Sequence, residues 1–186
     1  MRCRPYYFHL LLPDFHQFLV YIDYFLENGG SRTDFIVEAN LKKGLIYLNM
    51  GQFDNALLSL EKTTQLSKDK NGAEAQYYIG LILYQQGDYK SSNEALYAIP
   101  EQYGMYTEWL DKGFLLVAEN FIAQKEYFQA KATLQSIIDN SADPNTVQKA
   151  TQRYDWVEDE ESKAANLVPD SLNTVEIDTS SNNEGN

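Results

Sequence analysis

His9 and His16 are the only histidines in the chain, and Asp14 lies between them. Two imidazoles and a carboxylate are ligand types that hold zinc or a similar ion. Seven residues apart, the two histidines could share one helix face, but Pro13 falls between them and spoils that geometry. No standard ligand spacing results, so both read as satisfied surface or core histidines. Cys3 is the single cysteine. It allows neither an internal disulfide nor a cysteine metal cluster, and reads as an incidental terminal thiol. Apart from Gly29-Gly30 the glycines stand singly, and they do not gather into a phosphate-cradling loop. A Ser–His–acid set cannot be argued either, because chain position gives no proximity. Enzymes need converging polar groups with shifted pKa values, and the sequence offers no such set. The reading is therefore non-enzymatic, with no cofactor and no metal; an enzyme stays as a remote alternative.

The elements that would position any site announce themselves by repetition. GLIYLNMGQFDNALLSL, from Gly44 to Leu60, is nearly restated 36 residues later as GLILYQQGDYKSSNEAL, from Gly80 to Leu96. In the first copy, helical segments are expected over Phe35–Asn49 and Phe53–Leu66, broken at Gly51. In the second they are expected over Ala73–Gln85 and Tyr89–Ile99, broken at Gly87 and ended by Pro100. A glycine inside a helix costs about 1 kcal/mol relative to alanine. Gly44 and Gly80, at one phase, therefore predict helices packed too closely for a side chain. A third copy, Gly113–Asp139, lies 38 residues further on and keeps the pattern. Ala118 stands in the phase of Gly44 and Gly80, Phe121 of Tyr47 and Leu83, and Tyr127 of Phe53 and Tyr89. Ala130 matches Ala56 and Ser92, and Leu134 matches Leu60 and Leu96. One helix–turn–helix unit cannot bury its own apolar face, but stacked copies can. The fold class is accordingly all-α, a right-handed superhelical solenoid of helix pairs.

Outside the repeats, a helix is expected from Asp14 to Glu27, with Asp14 able to cap it and Asn28-Gly29-Gly30 to stop it. Its stripe is Phe15, Phe18, Leu19, Ile22, Phe25 and Leu26. The basic, then apolar start superficially resembles a signal peptide, but Pro5, His9, Pro13, Asp14 and His16 interrupt it and no small-residue cleavage site follows. Net charge is −12, which disfavours nucleic acid and anionic lipid. Between Thr151 and Asn186 nine acidic residues face two basic ones. A helix is expected there from Thr146 to about Leu167, with Trp156 and Val157 as its thin apolar stripe, extended by Ala150, Tyr154, Ala164 and Leu167, and Glu158–Glu161 facing water. The tail from Pro169 has few large apolar residues and no periodicity, the composition of disorder. The chain then divides into an N-terminal helical segment at 1–34, readable as a partial repeat; three repeats within 35–144 (about 37–70, 73–106 and 111–144); an acidic capping helix at 145–167; and a disordered acidic tail at 168–186.

These residues resemble the tetratricopeptide repeat family, and more loosely its bacterial members. The likeness rests on Gly44, Tyr47, Gly51, Phe53, Ala56 and Leu60 in the first copy. It rests on Ile79, Gly80, Gly87, Tyr89, Leu96 and Pro100 in the second, and on Val117, Ala118, Phe121, Tyr127, Ala130 and Leu134 in the third. There are departures. Asn40, Gln76 and Phe114 occupy the usual tryptophan position, Lys125 replaces a turn glycine, and Ser92 replaces an alanine. The resemblance implies that first helices line a concave, peptide-receiving surface. By phase its groove residues are Leu41, Leu45 and Leu48; Tyr77, Leu81 and Tyr84; and Lys112, Leu115 and Glu119. The carboxylate-clamp subgroup of the family is not matched, because Leu41, Leu45, Tyr78 and Leu116 stand where its polar residues belong and Lys112 alone fits.

The function expected is a protein–protein interaction scaffold with an apolar, tyrosine-rich groove for a peptide or helix. Carboxylates at its edges would favour neutral or basic partners. The competing reading is a structural module whose groove is filled by its own N-terminal helix or by neighbouring repeats. Trp109, beside Tyr103, Tyr106 and Leu110, reads as a wedge between repeats. The partner expected is a protein or peptide, with no nucleic acid and no transmembrane segment; its identity and the oligomeric state are not legible. The compartment is unassigned: cytoplasm by default, cell envelope if a longer N-terminus precedes.

Overall fold

First helices α2 (Thr33–Asn49), α4 (Lys70–Gln85), α6 (Thr107–Ala123) and α8 (Pro144–Asn166) each begin 37 residues after the one before. Second helices α1 (Phe15–Asn28), α3 (Phe53–Leu66), α5 (Tyr89–Tyr103) and α7 (Tyr127–Asn140) recur at intervals of 36 or 38. The computed structural model describes residues 15–29 and 32–166, so His9, Cys3, Asp14 and the tail from Leu167 lie outside it. Among the described residues the protein is all-α, eight helices packed in tandem pairs, with no strand and no helix long and apolar enough to cross a membrane. Each helix packs on the next in sequence, and α2 on α4 and α4 on α6 besides. That is the stacking of a solenoid.

The two helical glycines do what their phase predicts. A Cβ on Gly44 would lie 2.7 Å from Leu60 Cγ, and one on Gly80 would lie 2.6 Å from Leu96. The turns are built alike in all three units, with φ of 71° at Gly51, 81° at Gly87 and 61° at Lys125. The lysine adopts a left-handed conformation that costs an L-residue about 1 kcal/mol. Lys125→Gly is therefore expected to stabilise the protein by about 0.5–1 kcal/mol in urea unfolding, unlike the usual glycine substitution.

Ser92, at the phase of Ala56 and Ala130, has a use. Its hydroxyl donates to the Gly80 carbonyl at 2.8 Å and accepts from the Asn120 amide at 2.9 Å, tying α4, α5 and α6 together in a buried network.

Several boundaries differ from expectation. The Asp69 carboxylate accepts from the Asn71 backbone N–H at 2.8 Å, a cap that starts α4 at Lys70 instead of Ala73. Asp143 caps the backbone N–H groups of Asn145 and Thr146, so α8 begins at Pro144, where a first-turn proline loses nothing. Helix α5 was expected to end at Ile99; it continues through Pro100 to Tyr103. The proline lacks an N–H for the carbonyl four residues back. The added turn persists because it buries Tyr103, 1% exposed, beside Ala73 and Trp109. In the acidic run, Glu158 and Asp159 face solvent as expected, but Glu161 pairs with Lys131 and Glu160 with Lys163.

Candidate peptide-binding cleft

A cleft of about 690 Å³ opens between the inner faces of α4, α6 and α8. Tyr77, Tyr78 and Leu81 line it from α4, and Trp109, Lys112, Leu115, Leu116 and Glu119 from α6. Lys149 and Arg153 close it from α8.

Its floor is an aromatic cluster. The Trp109 ring lies 5.6 Å from Tyr77 and 6.1 Å from Tyr78, and the two tyrosines meet edge-on at 5.3 Å. Trp109 is only 5% exposed, held among Leu96, Ile99 and Leu116, and its indole Nε1 is buried without a hydrogen-bond partner. Burial pushes the Tyr77 phenol above its ordinary pKa, with Tyr78 adding to the shift. Burial and then the Glu74 carboxylate push Tyr78 up, while Lys112 pulls it down. Both hydroxyls thus stay protonated at neutral pH. Burial also raises Glu74, against the pull of Lys70 and Lys112.

The rim carries cations. Lys112 sits 4.0 Å over the Trp109 ring and bonds Glu108 at 2.8 Å. Hydrogen bonding to Lys112, then its charge, hold Glu108 below the usual carboxylate range. Arg153 forms two 2.6 Å bonds to Glu119 and stacks 4.1 Å from Trp156, fastening α8 to α6. Lys149 is exposed and has no charged partner among the described residues.

Of the groove residues expected from sequence, Tyr77, Leu81, Lys112, Leu115 and Glu119 come together here. Leu41, Leu45 and Leu48 do not line the cleft: Leu41 is buried beside Leu60 and Ile79, and the other two pack on that cluster. Tyr84 packs on the cluster beneath Trp109, with its ring 5.7 Å from Tyr89. The sequence reading placed Trp109 as a wedge and passed over Lys149 and Arg153. The repeat spacing could have found them, since one further step of 37 residues carries Lys112 onto Lys149 and Leu116 onto Arg153.

Among the described residues, helix α1 contributes none to this cleft, and it packs on α2. No group of three or more His, Cys, Asp or Glu side chains among the described residues is placed to hold a metal ion.

Paired helices in tandem, with small residues at each intra-unit contact, define an α-solenoid of helix–turn–helix repeats. Residues 74–104 and 113–143 match the tetratricopeptide repeat family. The chain therefore contains a tetratricopeptide-type repeat domain, matched over α4–α5 and α6–α7. No curated protein matches the chain significantly.

Proposed function

We propose that the protein is a non-enzymatic interaction scaffold that takes a short peptide or helix in the cleft between α4, α6 and α8. One observation carries the reading: an aromatic floor of Tyr77, Tyr78 and Trp109 beneath a rim bearing Lys112, Arg153 and Lys149, the last with no charged partner among the described residues. Its volume lies within the range of ligand clefts, and rigid aromatic rings give contact area at little entropic cost. The peptide class is apolar with flanking carboxylates. That differs from the expectation of neutral or basic partners: Glu108 pairs with Lys112 and Glu119 with Arg153, so those charges offset one another, and Lys149 is the cation left over on the lining among the described residues.

The test is selection from a displayed peptide library. Bound sequences should pair an apolar anchor with acidic neighbours. Lys149→Glu and Leu115→Gln should each weaken them at least about 10-fold, a loss of about 1.4 kcal/mol; thermal unfolding should be little changed in Lys149→Glu, whereas Leu115→Gln also loses packing against Ala118, Ala130 and Leu134. Binders indifferent to both substitutions would overturn the reading.

A structural module is the second reading. It is favoured by the packing of Leu41, Leu45 and Leu48 into the core and by the Arg153–Glu119 fastening across the cleft. It expects no selected peptide at all.

A further inference from the structure

Helix α8 is joined to α6 across the cleft by a two-pronged ion pair. Arg153 Nε and Nη2 each donate to a Glu119 carboxylate oxygen at 2.6 Å. Both side chains line the cleft, and they are 32% and 33% exposed, so a ligand there can reach the pair.

The repeat carries no charge at these places in its earlier copies. Counted back by repeat, Glu119 stands at the phase of Leu81 and Leu45, and Arg153 at that of Leu116 and Tyr78. Apolar side chains at both positions would fasten α8 at least as well, because a part-exposed ion pair contributes little and a buried one is often replaced by apolar contacts without loss. What the pair adds is a cation kept in the cleft lining, its charge offset from within the chain.

The two partners are unequally held. The Arg153 guanidinium also stacks 4.1 Å from the centre of the Trp156 ring, on its own helix. Lys149, one turn earlier on α8, lines the same cleft and has no charged partner among the described residues. Glu119 makes no other ion pair or side-chain hydrogen bond among the described residues. The cation is supported without the carboxylate, and the carboxylate is free to leave.

We propose that Glu119 is an internal competitor for a carboxylate subsite at Arg153: a Glu or Asp side chain of the bound peptide displaces it and takes over its two hydrogen bonds, with the Lys149 charge beside them. The proposal rests on the reading of the cleft as a peptide site. A side chain is the source, because Glu119 itself shows a side-chain carboxylate reaching Arg153 from a helix that lines the cleft. The exchange conserves the charge-assisted bonds. Glu119 is tethered and always at hand, so it lowers the apparent affinity by the fraction of time that Arg153 is unpaired. A peptide without a carboxylate gains nothing from Arg153, and the pair thereby selects for acidic ligands.

Selection from a peptide library whose C-termini are fused to the carrier tests this, against the 186-residue chain and its Glu119→Gln variant. Acidic binders should hold Glu119→Gln at least about 5-fold more tightly than the native chain. The gain should vanish when Arg153→Gln is added, or when the peptide's own Glu is changed to Gln. Acidic binders that hold Glu119→Gln equally or more weakly would overturn the exchange and leave the peptide role of the cleft standing. No binder to either form would overturn both. Synthetic peptides with free or amidated C-termini separate the other source, since a gain confined to the free acid overturns the side-chain assignment. Should Glu119→Gln unfold more easily, carbon-13 NMR of the native chain decides. On peptide binding the Glu119 carboxyl carbon should shift to the position of a free carboxylate; a signal that stays in place overturns the proposal.

Discussion

Trp109→Ala is expected to cost about 3–5 kcal/mol in urea or thermal unfolding, the range for removing a buried large aromatic. The indole is 5% exposed and fills the angle between α4, α5 and α6 against Leu96, Ile99 and Leu116. Its removal strips contacts from Tyr77 and Tyr78 and takes away the ring under Lys112. Alanine cannot refill that space, and rigid helices on three sides limit collapse. Trp109→Phe should cost much less, because Nε1 has no hydrogen-bond partner to lose and its removal relieves a buried, unsatisfied donor. A loss below about 1 kcal/mol for the alanine variant would mean that the wedge is not structural. The same residue floors the cleft, so Trp109→Ala abolishes any binding for a trivial reason. Binding is better interrogated at Lys149, which is exposed on the rim.

Much of this architecture was legible because the repeat fixes distances. Gly44 and Gly80 signalled close helix approach, and the geometry against Leu60 and Leu96 bears that out. The turn was legible at Gly51 and Gly87. At Lys125 the letter changed while the backbone did not, so phase was a better guide than residue type. Helix starts were less legible: Asp69 and Asp143 cap through side-chain bonds whose formation depends on the loop path.

The cleft was half legible. Phase found Tyr77, Leu81, Lys112, Leu115 and Glu119. It could not tell that leucines at 41, 45 and 48 are short enough to settle against Leu60 and Ile79, whereas Tyr77 and Tyr78 reach across to Trp109. Lys149 and Arg153 were hidden by averaging. Their helix is acidic overall, but its inner face carries the cations, and composition does not distinguish faces.

Tyr103→Ala should cost nearly as much as the loss of Trp109, about 3–4 kcal/mol, and should do so through the backbone as well as the core. Helix α5 has a reason to stop at Ile99, because Pro100 removes one hydrogen bond and crowds the preceding turn. What keeps residues 100–103 helical is the anchor at their end. The Tyr103 ring is 1% exposed, packed with Ala73 and Trp109, and Lys68 lies 5.4 Å above it. Its hydroxyl donates to the Ser67 carbonyl at 3.4 Å, a long bond that contributes little. Tyr103→Phe is therefore expected to lose less than about 1 kcal/mol and keep the last turn. In Tyr103→Ala the turn has no anchor against the cost of Pro100, and amide exchange at residues 101–103 should accelerate far more than at residues 92–96. Uniform acceleration along α5 would show that the helix stands or falls as one piece, and that Pro100 is tolerated for some cause other than the burial of Tyr103.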